Sequence, residues 1–228
     1  MLRLEQVDAV IEGVQVLRGV TLEVPAGGTV ALVGRNGAGK TTCLRAIMGF
    51  VPVASGRVFL DDRDLGSLAP HRRPALGIGY APEDRRLFPS FTVEENLLLP
   101  AQVCRLPEAA IRERLAQIYE VLPELTELRS RRAGALSGGQ GKIAALGRAL
   151  MVGSKVVLLD EPFQGLAPAL AMRYADALKR LRGRDRDIAL LVTESNPSLL
   201  FPLAETTYRI ERGAVEFLDA AQAVPAAS

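Results

Sequence analysis

The chain has 228 residues, 28 Lys+Arg against 26 Asp+Glu for a net charge of +2, and 48% hydrophobic residues. That length and apolar content suit one large domain, or a core with an inserted subdomain, and the near balance of charge gives no case for a nucleic-acid surface. With His71 as the one histidine and Cys43 and Cys104 far apart, a histidine-based metal site or a Ser-His-Asp triad is excluded, and the cysteines read as small core residues or inert thiols.

In chain order, residues 2–24 alternate and read as strands, with a turn at Glu12-Gly13. VALVG (30–34) is a short apolar run and therefore a buried strand. It opens into a glycine-rich loop (34–39) and a helix over residues 40–50. Further strands are predicted at 56–60 and 78–81. From residue 89 to about 135 the pattern turns helical: Thr92 three residues before Glu95 marks a capping box, and PEAAIRERLAQIYEVL is amphipathic. Another helix runs through GKIAALGRALM. KVVLLDEP and LVTESN are apolar strands that deliver polar side chains at their carboxyl ends, where parallel sheets present ligands. Residues 208–217 read as a hairpin turning at Arg212-Gly213, and the tail AAQAVPAAS as frayed. No apolar run approaches the ~20 residues that cross a bilayer, and MLRLEQVDAV lacks a signal-peptide pattern, so a cytoplasmic protein is expected.

GRNGAGKT (34–41) fits G-x-x-x-x-G-K-[ST] between a strand and a helix. Gly34, Gly37 and Gly39, with Asn36 between them, let backbone N–H groups turn inward around phosphate oxygens. The helix start adds its partial positive charge. Lys40 can reach the β- and γ-phosphates, the Thr41 hydroxyl can ligate Mg²⁺, and Thr42 completes the turn. In VVLLDE (156–161), Asp160 is suited to hold Mg²⁺ through water and Glu161 to act as general base toward an attacking water. LSGGQ (136–140) offers a second, lysine-free turn built on Ser137, Gly138, Gly139 and Gln140. It makes sense if it closes over ATP held by another subunit; an ordinary Ser-capped helix start is the alternative.

GRNGAGKTT, LSGGQ and LLDEP, in this order and spacing, resemble the ATP-binding cassette (ABC) ATPases over nearly the whole chain. GIGYAPEDRRLFPSFTVEENLLL and DEPFQGLAP resemble the ATPase subunits of branched-chain amino acid importers, the LivF type. The resemblance implies an α/β P-loop NTPase core with an N-terminal antiparallel β-subdomain and an inserted helical subdomain. Residues 1–228 would form one such domain: 1–88 and 136–218 the core, 89–135 the helical part, 219–228 the tail. It implies ATP and Mg²⁺ as cofactors and a head-to-tail pair with a sister ABC ATPase, homo- or heterodimeric. It further implies transmembrane permease subunits, a periplasmic solute-binding protein reached indirectly, no nucleic acid, and a peripheral place on the cytoplasmic face of the inner membrane.

Several positions depart from the family pattern. The adenine-stacking aromatic falls near Ile11, and Ile11 or Val16 could pack on the base instead. A glutamine that bridges Mg²⁺ and the permease is replaced by Glu83. The γ-phosphate switch, usually His or Gln, falls on Ser195 counting back from YRIERG; a register one residue earlier places Glu194 there. Serine offers one short hydroxyl. Phe163 and Gln164 stand where small residues are usual, and Gly141 weakens its helix start by up to ~1 kcal/mol. The segment 83–91 is expected to line a cleft for a permease helix. The resemblance supports an importer ATPase, with a nucleotide-binding subunit that barely hydrolyses in its own pocket as the alternative. Soluble ABC ATPases acting on ribosomes or DNA repair carry tandem cassettes or coiled-coil inserts not found in this sequence, and LSGGQ disfavours a P-loop kinase.

Overall fold

Three central strands divide their side chains between two cores. The computed structural model describes residues 1–184, 187–196, 198, 200 and 202–218, so the tail 219–228 lies outside the described residues. It sets β3 (Thr29–Val33), β8 (Ala189–Glu194) and β7 (Val156–Asp160) side by side and parallel. Ala31, Val33, Val157, Leu159, Leu190 and Val192 face one core. Val30, Leu32, Val156, Leu158, Ala189 and Leu191 face the other. The strand period of two produces this split, and burial on both faces is why these segments read as unbroken apolar runs.

The full sheet has the order β10-β9-β3-β8-β7-β6, with β6 (Ile78–Ala81) and β9 (Thr206–Glu211) parallel to their neighbours and β10 (Ala214–Leu218) closing an antiparallel hairpin on β9. Over one face lie α1 (Lys40–Ile47) and a four-stranded antiparallel sheet of order β2-β1-β4-β5, made of β1 (Leu2–Ile11), β2 (Val14–Val24), β4 (Ser55–Leu60) and β5 (Arg63–Asp64). Over the other pack α2 (Val93–Val103), α3 (Glu108–Val121), α4 (Glu124–Leu128), α5 (Gly138–Val152) and α6 (Pro168–Arg184). This is the α/β P-loop architecture expected, with its N-terminal β-sheet and a helical insertion between β6 and β7. Among the described residues no helix is long and apolar enough to cross a membrane.

Three local features differ from the sequence pattern. The helix after the glycine loop stops at Ile47 because Gly49 turns left-handed (φ 76°) and the buried Arg73 guanidinium donates to Ala46 O (3.0 Å), Ile47 O (2.5 Å) and Leu65 O (2.9 Å). A cation at the helix carboxyl end satisfies orphan carbonyls and the helix dipole together. The helix expected through GKIAALGRALM starts earlier, at Gly138, because Ser137 and Gln140 form a capping box. Gly141 has a packing reason: a Cβ there would stand 3.0 Å from Arg85 Cδ, so the glycine lets the Arg85 side chain cross the helix start.

Candidate nucleotide site

The loop from Gly34 to Gly39 hangs between β3 and α1. The Gly34 N–H donates to Glu194 O at 3.2 Å, and a Cβ on Gly34 would lie 2.3 Å from Ile210 O, so only glycine lets the loop leave the sheet there. Gly39 sits at the helix start with φ 115° and no side-chain cap, which leaves the first N–H groups of α1 free for an anion. A cavity of about 320 Å³ opens above, lined by Val16, Asn36, Gly37, Gly39, Lys40, Thr41, Thr42, Glu83, Glu161 and Gln164.

At its floor Lys40 and Glu161 are each 4% exposed and form an ion pair, Nζ to Oε1 2.9 Å. Lys40 Nζ also lies within hydrogen-bond reach of Gly34 O (2.6 Å), Arg35 O (3.0 Å) and Ser195 Oγ (3.1 Å), one partner more than three ammonium protons can serve at once. Ser195 Oγ stands 2.6 Å from Glu161 Oε1 and 2.7 Å from Asn36 Oδ1, and its backbone N–H donates to Glu161 Oε2 at 3.2 Å. Burial alone would raise the Glu161 carboxyl. The Ser195 hydroxyl, the Lys40 ammonium and the Ser195 N–H outweigh it and hold the group below the usual carboxylate range.

Beside this knot, Asp160 is buried and accepts from the hydroxyls of Thr193 (2.9 Å), Thr41 (3.0 Å) and Tyr80 (3.2 Å). Burial still carries its carboxyl above the usual value. Tyr80 and Thr193 were not among the expected site residues, although both lie toward the carboxyl ends of strands flanking β7, and Thr193 is the register partner of Asp160. Glu83 is exposed. It lines both this cavity and a larger neighbour of about 760 Å³ that also touches Thr41 and Asp160.

The other expected residues fall at varying distances from the loop. At the end of β8 it is Ser195 whose side chain reaches the phosphate loop. Glu194 is buried, accepts the Phe163 N–H at 2.7 Å, and is pushed up to about 7 by burial, with the Glu161 charge adding to it. Ile11 ends β1 opposite Val14, is 39% exposed, and is absent from the cavity wall, where Val16 stands instead. Ser137, Gly138, Gly139 and Gln140 lie at the start of α5 and do not line this cavity.

A glycine loop between strand and helix, a buried lysine in it, and two strand-end acids beside it define a P-loop nucleotide-hydrolysing protein. A family model described as "ABC transporter" matches residues 17–164, and the chain belongs to that family as an ATP-binding, ATP-hydrolysing subunit. It is 35% identical to a probable branched-chain amino acid transport ATP-binding protein LivF of Archaeoglobus fulgidus, over 95% of this chain and 91% of that one. To the branched-chain amino acid transport ATP-binding protein BraG of Pseudomonas aeruginosa it is 33% identical, over 98% and 94%. The lipopolysaccharide export ATP-binding protein LptB of Escherichia coli is 34% identical, over 89% and 83%. Among solved structures, the ADP conformation of MJ1267, an ATP-binding cassette of an ABC transporter, superposes with a TM-score of 0.82 at 28% identity, over 98% of this chain and 92% of that one.

Proposed function

We propose that this chain is the ATPase of an importer for branched-chain amino acids or a related small polar solute. It acts as a head-to-tail dimer with a sister ABC ATPase, beneath permease subunits on the cytoplasmic face of the membrane. The observation that carries the chemistry is the convergence of Lys40, Glu161 and Ser195 beside the Thr41–Asp160 hydrogen bond. Lys40 exchanges Glu161 for the β- and γ-phosphates. Glu161, released but still held by the Ser195 N–H, takes the proton of the attacking water. Ser195 offers its hydroxyl at the γ-phosphate. Ser137 uses its oxygen to accept the Gln140 N–H, so its proton is free to donate to the nucleotide held by the partner.

The oxygen donors fit Mg²⁺, a cation commonly held by one or two carboxylates with substrate phosphates: a buried Asp160 ringed by hydroxyls, the Thr41 hydroxyl, and Glu83 on the wall. Mg²⁺ bound there would neutralise charge on the transferred phosphoryl oxygens.

The solute class is supported by the two branched-chain amino acid relatives and by the segment 77–99 quoted above. The permease side is supported by the 760 Å³ cavity, lined by Phe50, Pro82, Glu83, Asp84, Arg86 and Arg148 among others. Nearby, the exposed Phe88 and Phe91 rings stack at 5.3 Å, and buried Asn96 fixes the Phe88 backbone with bonds of 2.8 and 3.1 Å. A cytoplasmic permease helix would meet a preformed seat of apolar area and charge. In proteoliposomes holding the assembled transporter, ATP-driven leucine uptake and a cross-link from position 87 to the permease are expected. An assembled complex that gives no adduct, or that moves a chemically different solute, counts against this assignment.

The regulatory alternative draws on Ser195. Its hydroxyl is short and already shared among Lys40, Glu161 and Asn36. Phe163 lends no support, because its ring is buried edge-on against Tyr174 at 5.6 Å, away from the cavity. If the short serine limits the pocket, Ser195→His raises homodimer turnover about tenfold, the rate equivalent of one charge-assisted hydrogen bond. Unchanged turnover would make Ser195 a tolerated variant.

A further inference from the structure

Lys142 lies outside the phosphate-facing run, about 7.5 Å along α5 from Ser137 at the helical rise per residue. Its half-buried ammonium donates to the backbone carbonyl of Glu161 at 2.5 Å. The charged groups facing it are the carboxylates of Glu194, Glu83 and Glu161, with the Arg85 guanidinium opposed. Glu161 adopts a left-handed backbone, φ 47°, which a non-glycine residue keeps only when its surroundings fix it. Those surroundings come from three places. The Glu161 N–H is taken by Thr193 O and Oγ1, both at 3.1 Å. The Phe163 N–H is taken by Glu194 at 2.7 Å. The Glu161 carbonyl accepts from the Gln164 N–H of its own loop at 3.3 Å and, at shorter range, from Lys142, the member of the set that comes from α5.

We propose that Lys142 is a positioning residue for Glu161: by holding the Glu161 carbonyl it ties this chain's own base to the helix that starts with Ser137, Gly138, Gly139 and Gln140. The inference rests on Glu161 being the base.

Steady-state ATPase assays on the full-length protein test this. Lys142→Met keeps the apolar stem and removes the donor; kcat is expected to fall about tenfold, as for loss of one charge-assisted hydrogen bond, with KM for ATP unchanged. Lys142→Arg should recover most of the loss. In a Glu161→Gln background, Lys142→Met should lower the residual rate no further, because it acts through the carboxylate already removed. Should Lys142→Met fold poorly, Lys142→Gln, too short to span the gap, makes the same comparison. Unchanged kcat in the folded variant, a rise in KM alone, or the same loss in the Glu161→Gln background overturns the positioning role. Full turnover in Glu161→Gln alone is a different failure: it removes the base itself and this inference with it.

Discussion

Glu161→Gln is expected to cut ATP turnover by about 10²-fold or more, the range of a lost general base, while nucleotide binding survives. The carboxamide keeps the shape of the side chain, and its one oxygen can still accept either from the Ser195 N–H or from Lys40, which now stand 3.2 and 2.9 Å from two different carboxylate oxygens. It cannot accept a proton from water. The same change removes the anion that pairs with Lys40 in a site where both side chains are almost fully buried. A buried cation without its counter-charge favours an incoming phosphate, so affinity for ATP should hold or rise. Phosphate release gives kcat and equilibrium binding gives Kd on one preparation. Unaltered kcat with the pocket filled would sink the assignment and direct attention to Glu194, the buried carboxyl behind Glu161.

The local structure of the motifs was legible in the sequence because it depends on residues adjacent in the chain: the loop at 34–42, the acids closing 156–161, and the capped turn at 137–140. The central strands were legible one by one, since strands covered on both faces must be apolar throughout; their order in the sheet was not. What the sequence hid depends on register between distant elements. Tyr80 and Thr193 bond Asp160 only because β6, β7 and β8 end at one level. Of the two candidates offered for the base, Ile11 and Val16, it is Val16 that stands on the cavity wall, in a β1–β2 pair with register shifts between Val7 and Ala9 and between Ala9 and Val10. Lys142 finds its partner only because the first turns of α5 pass the residue that follows β7. Helix α6 was not among the expected elements, although Ala171, Tyr174, Ala175, Leu178 and Leu181 recur at helical spacing and make its buried face.

Lys40→Ala is expected to abolish most of the thermal stabilisation by Mg-ATP. A ligand at 100 times Kd stabilises the native state by about 2.7 kcal/mol, which for a domain of this size raises Tm by about 5–10 °C. The wild type should show that gain and the variant little of it, because alanine leaves the phosphates facing only loop N–H groups, with Asp160 and Glu161 close by and nothing in Lys40's place to oppose them. The variant must be compared with its own nucleotide-free state. Lys40 is the cation for a buried Glu161 and the donor to Gly34 O and Arg35 O. Its loss therefore destabilises the free protein as well, by about 3–5 kcal/mol for a broken buried pair, less what the Ser195 hydroxyl and N–H still supply to Glu161. A lower starting Tm with no ligand shift is the signature of a phosphate-binding lysine that also braces the base. A lower starting Tm with the full ligand shift would leave Lys40 a structural cation and place the phosphates elsewhere.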